Sequence, residues 1–152
     1  MIQRIQSLYL AAVFIAMIAF LSLPIWQKVD LGSICTITSY ALIAFTDQYI
    51  LFPYAFSALF ACYIALTAAY AIVRHDNRKL QLRLVTGIIL ALILLLILVF
   101  FFIKKTNTAY LINGCSSYQI AIIFPFIALI ATLLAAYHIK NDEQLANDDR
   151  LR

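Results

Sequence analysis

Charge is what this sequence has least of. Only 12% of its 152 residues are Asp, Glu, Lys or Arg, where soluble domains carry about a quarter, and mean hydropathy is +0.96. That scarcity excludes a water-soluble globular domain and leaves an integral membrane protein, with a single membrane domain over residues 1–152. No Asp, Glu, Lys or Arg interrupts the four long apolar runs, so the ionisable groups that proton relays, ion pathways and coupled transporters place in the membrane are missing. Nor is there a glycine-rich phosphate loop, a nucleophile beside a base, or a catalytic carboxylate pair. An enzyme is therefore not expected, and no cofactor is implied. A net charge of +4 and a pI of 9.1 would point a soluble chain toward nucleic acid. In a membrane chain the Lys and Arg residues are explained by loop orientation and anionic headgroups, and no nucleic-acid partner is expected.

What charge there is gathers in one interior island, from Arg74 to Arg83. An island of that kind cannot lie in hydrocarbon, so it divides the chain into two hydrophobic hairpins. The runs predict four transmembrane helices at about 7–25, 52–73, 84–103 and 120–139, joined by loops at 27–50, 74–83 and 104–119 and followed by a tail at 140–152. The first run reads as an uncleaved signal anchor, with a cleaved signal peptide as the rival, since Arg4 supplies a positive start but no Ala-x-Ala site closes the run. Between the first two helices, the β-favouring residues from Ser33 to Ile43 predict one or two extended strands on the membrane surface. An interfacial loop with apolar side chains dipping among headgroups is the competing reading.

Helix 2 carries Ser57, Ala61, Ala65 and Ala69 at intervals of four, and helix 4 carries Ala128, Thr132 and Ala136. Small ridges let backbones approach in lipid, so these are predicted packing faces, with helix 2 the most deeply packed. Helix 3, nearly continuous Leu, Ile, Val and Phe, reads as the most lipid-exposed, stopped at the interface by Lys104 and Lys105. Pro53 is expected in the first turn of helix 2, where its missing N–H costs nothing. Pro125 requires that helix 4 either start late or kink. The hydroxyls of Ser57, Thr67, Thr86 and Thr132 are too few to line a pore and read as hydrogen bonds between helices.

Orientation follows from the basic residues. Arg4, Arg74, Arg78, Lys79, Arg83, Lys140, Arg150 and Arg152 fall on one side, and Lys28, Lys104 and Lys105 on the other. The richer side is read as cytoplasmic, which places both termini and the central island on the cytoplasmic side of an inner membrane. Three short matches recur in order in the two halves: Thr36–Tyr40 with Thr106–Tyr110, Phe52–Tyr54 with Phe124–Phe126, and Ala68–Ile72 with Ala135–Ile139. They read either as two tandem helix-strand-helix repeats whose outer strands pair as a small antiparallel β-ribbon, or as chance similarity in an apolar sequence.

Two clusters remain. His138, Asp142 and Glu143, with His75 and Asp76 nearby, could gather a divalent ion weakly, but they match no dedicated metal motif and read equally as interfacial groups. Cys35 and Cys115 share the outer side, where a disulfide would tie the outer strands if the two came within about 6 Å. Cys62 reads as a packing residue.

The two ends carry a resemblance. Met1-Ile2-Gln3-Arg4-Ile5-Gln6-Ser7-Leu8-Tyr9-Leu10 and the closing Ile139-Lys140-Asn141-Asp142-Glu143-Gln144-Leu145 with Asp149-Arg150-Leu151-Arg152 resemble the opening and closing signatures of a bacterial membrane family, domain of unknown function 4293. The resemblance implies a four-helix inner-membrane protein and brings no activity, cofactor or catalytic residue with it. Arg4, Arg74, Arg78, Lys79, Arg83, Asp142, Glu143, Arg150 and Arg152 then form one expected cytoplasmic face. Ion pairs across it would be exposed and worth only about 0–1 kcal/mol each. That face could dock a protein partner or anionic lipid, with the tail either a docking element or a disordered solubilising end. The first expectation is a structural or adaptor protein. The alternative is a small transporter, channel or lipid-binding protein with a cavity between helices 2 and 4.

Overall fold

The computed structural model of the protein describes residues 3–30, 33–43, 49–74, 78–109 and 115–150. Four helices are present among them: α1 (Gln3–Ser22), α2 (Ala55–Val73), α3 (Arg78–Ala109) and α4 (Ile123–Arg150). A five-stranded sheet accompanies them, made of β1 (Trp26–Asp30), β2 (Ser33–Ile37), β3 (Leu42–Ile43), β4 (Tyr49–Ile50) and β5 (Cys115–Tyr118). Among the described residues, Ala55–Val73, Leu80–Thr108 and Ile120–Asn141 are long and apolar enough to cross a membrane, and Gln6–Ser22 of the first helix is apolar as well.

Each helix packs against two neighbours, in the ring α1–α2–α3–α4. Around that ring, large and small faces alternate. Leu10, Val13, Met17 and Phe20 of α1 and Val85, Ile88, Leu92 and Leu95 of α3 are buried, against Ala61, Ala65 and Ala68 of α2 and Ala128, Ala131 and Ala135 of α4. Bulky knobs thus meet shallow sockets on both sides, which lets the backbones approach without leaving voids. The small ridges do not make α2 the deepest helix, nor α3 the most exposed. The same 33% of each of the three long apolar windows is buried, because large α3 side chains fill the space the alanines leave.

Several boundaries move from their sequence expectations. The first helix stops at Ser22, not residue 25, because Leu23 precedes Pro24 and is biased out of the helical region. Ile25 and Trp26 join the sheet instead: the Ile25 N–H donates to the Ile37 carbonyl at 2.8 Å, and its carbonyl accepts from Gln119 N–H at 3.0 Å. Pro53, in a cis peptide with Phe52, lies in the turn before α2 and not in its first turn. A 3₁₀ turn over Ile120–Ile122 precedes α4, so Pro125 falls in the helix's first turn, where no N–H is required. The third helix takes in the Arg78–Arg83 part of the basic island and runs past Lys104 and Lys105 to Ala109. The tail continues α4 as helix as far as Arg150. Thr67, Thr86 and Thr132 turn their hydroxyls back to carbonyls of their own helices, four residues earlier, and not across to a neighbour.

The sheet order is β4-β3-β2-β1-β5, antiparallel throughout. It exceeds the one or two strands expected, and the strand that joins the two outer connections is β1, whose Trp26 stands opposite Ile37 of β2 and Tyr118 of β5. Of the matched segments, Thr36 and Ile37 lie in β2, whereas Thr106–Ala109 close α3 as helix.

Candidate functional site

At the sheet end, alternation along each strand decides which side chains meet the bundle. Trp26 and Lys28 of β1, Cys35 and Ile37 of β2 and Leu42 of β3 are buried, while Val29 and Ile34 on the opposite face are half exposed. Beneath the sheet, the extended end of α3 supplies partners. The Lys28 ammonium donates to Asn107 Oδ1 at 3.0 Å, and the Tyr54 and Thr106 hydroxyls share a buried hydrogen bond of 2.8 Å. The Tyr54 ring packs on Phe102 with centroids 4.9 Å apart. Ser57 donates to the Ser39 carbonyl, and Ser39 donates to the Leu21 carbonyl at 3.2 Å. Ser57 thus bonds to the sheet connection and not to another helix. These contacts satisfy loop carbonyls and a buried cation that water cannot reach. Lys28, Tyr54, Thr106 and Asn107 were not singled out from the sequence; a lone lysine in an apolar connection was the one signal that could have marked them.

Cys35 is a free, buried thiol. Burial pushes its pKa up, with the Lys28 ammonium pulling the other way. Cys35 stands opposite Lys28 on β2 and Cys115 opposite Val29 on β5. The whole of β1 lies between them, a separation of about 10 Å across two strand spacings. The proposed disulfide is therefore corrected: its ends are farther apart than a bridge allows. Cys62 is exposed on α2 and not a buried packing residue.

At the opposite end the described contacts join neighbouring helices directly. The Gln81 amide donates to the Ala71 carbonyl at 3.4 Å, joining α3 to α2. Tyr9 of α1 stacks on His138 of α4, with centroids 5.7 Å apart and rings 13° from parallel. Arg74 caps α2 through its backbone N–H, and both Arg74 and Arg83 are exposed. Arg4 lies on α1, Arg78 and Lys79 open α3, and Asp142, Glu143 and Arg150 lie on the α4 extension. The side chains of these six fall outside the described residues, as do His75, Asp76 and Arg152 altogether. Of the small residues, Ser57, Ala61, Ala65, Ala128 and Thr132 are buried, and Ala69 and Ala136 are half-buried because the contact rotates onto Ala68 and Ala135.

Two grooves lie on outer helix faces. Phe56, Leu59, Phe60 and Tyr63 of α2 line one of about 400 Å³; Phe101, Lys104, Lys105 and Thr108 of α3 line another of about 440 Å³. Neither is a channel through the bundle, whose interior is occupied by the side chains described above.

Long apolar helices with large-into-small packing, closed at one end by a hydrogen-bonded sheet, define a helical protein of the membrane-spanning class. The chain belongs to the DUF4293 family, a domain of unknown function whose family model matches residues 2–151. A comparison with curated proteins finds no match.

Proposed function

We propose that the protein is a multi-pass inner-membrane protein whose four helices all cross, with both termini and the 74–83 island in the cytoplasm, and that it acts as a structural or adaptor protein docking a protein partner through that face. One observation carries the reading. The apolar run of α4 ends at Ile139, before Lys140 and Asn141, yet the helix continues to Arg150, projecting about three further turns. Asp142, Glu143, Asp148, Asp149 and Arg150 lie on this projection. A helix extended beyond its span offers a partner a pre-ordered element, so less ordering entropy is lost on binding than with a free tail. The 20 residues of α1 measure about 30 Å, matching a hydrocarbon core, and the distribution of Lys and Arg supports the orientation. Anionic headgroups compete for the same basic residues.

Truncation after Asn141 tests the reading. Proteins that co-purify with the full chain in mild detergent are expected to be lost while membrane insertion is unchanged. An unchanged set of partners overturns it, and a C-terminal tag accessible from outside the cell overturns the orientation. The transporter, channel or lipid-binding alternative needs a cavity between α2 and α4 and is less well supported, since Ile64, Ile88, Leu92 and Leu95 are fully buried within the bundle.

A further inference from the structure

The sheet end of α3 carries a feature that the docking reading does not use. Lys104 and Lys105 stand three and four residues after Phe101, and Thr108 three and four after them, so the four flank one face and line the groove of about 440 Å³. Phe101 is 60% exposed, and Lys104 and Lys105 are exposed beside it. The apolar run of α3 ends at Ile103, directly before the two lysines, which puts the Phe101 ring at the hydrocarbon side and the ammonium groups toward the headgroups. Lysines at an interface ordinarily snorkel from mobile ends. Here the helix does not stop at them. It runs on to Ala109 and is fixed just beyond by the Tyr54–Thr106 bond at 2.8 Å and the Lys28–Asn107 bond at 3.0 Å. The Thr108 hydroxyl donates to the Lys104 carbonyl at 2.8 Å, closing the last turn. Two cations therefore sit on a rigid turn above an aromatic floor.

We infer that this groove holds an anionic phospholipid of the sheet-side leaflet, with its phosphate between Lys104 and Lys105 and an acyl chain against Phe101. Charge complementarity selects the anionic lipid, and the apolar floor selects a lipid over a free anion. The inference rests on α3 crossing a membrane and not on the partner-docking reading, whose groups lie at the other end.

Native mass spectrometry of the intact protein in mild detergent tests it, with titration by phosphatidylglycerol and, separately, phosphatidylcholine. Wild-type protein is expected to favour phosphatidylglycerol, and the K104Q/K105Q variant to lose roughly tenfold or more in its affinity for that lipid. Phe101→Ala is expected to weaken both lipids, and Lys140→Gln, at the other end, to change neither. Both lysines are exposed, and a wild-type thermal midpoint for the double variant checks that it is folded. No preference in the wild type, full affinity in the double variant, an equal loss with Lys140→Gln, an unaltered Phe101→Ala, or displacement by inorganic phosphate alone would each overturn the inference.

Discussion

At the sheet-capped end, four strand-borne apolar residues and a chain of hydrogen bonds lock loops, strands and α3 together, whereas at the island end the described residues include the Gln81–Ala71 amide bond and the Tyr9–His138 ring stack. The contrast has a physical cause. Irregular backbone at the membrane surface must find partners for its carbonyls and N–H groups, so a connection as long as 23–54 is tolerated only when a sheet and short side chains satisfy it. At the island end the connection is far shorter, from Val73 to Arg78, with fewer backbone groups to satisfy. Substitutions at the sheet end are therefore expected to cost the most stability.

Replacing Trp26 by Ala should break the closed end most severely. The indole is 2% exposed, and its loss should cost about 3–5 kcal/mol, read as thermal unfolding in detergent. Tyr54→Phe keeps the ring on Phe102 but strips the partner from buried Thr106, for a cost of about 1–3 kcal/mol. A loss much below that would mean the seam is not a stabilising element. A finer probe is pH. Because burial raises the Cys35 thiol, the unfolded chain releases that proton first. Stability contributed by the protonated thiol is thus intact at neutral pH and declines as pH climbs past the ordinary thiol range toward the raised value. Cys35→Ala should flatten that alkaline decline relative to wild type. Truncation after Asn141 should have the smallest effect on unfolding, within about 0.5 kcal/mol, even as it removes partners. A large destabilisation there would erase the distinction between the ends.

Much of this was legible in the sequence because the bilayer simplifies the problem. A run without charge must be helical in lipid, and the positions of Phe52–Val73 and Leu84–Ile103 already placed two helices. The alanine intervals at 61, 65 and 128 marked real contact faces, since spacing by four holds along any straight helix. Other inferences failed where the sequence signal was equivocal. Lys104 and Lys105 looked like a stop, but a helix can continue into the headgroup layer when a sheet waits there to receive it. The polar tail at 140–152 read either as a docking element or as a disordered end, and α4 propagates through it to Arg150, since extending an existing helix needs no new nucleus. The disulfide failed because two cysteines on one side of a membrane say nothing about which strand lies between them.

By itself the sequence determined the apolar spans, the charged divider at Arg74–Arg83 and the small faces of α2 and α4, because each depends on local composition and helical period alone. Only the tertiary structure decided the ring of large faces against small ones, the insertion of β1 between β2 and β5, and the seating of Lys28 on Asn107. Those depend on residues far apart in the chain arriving at the same place, and no pattern of spacing encodes that arrival.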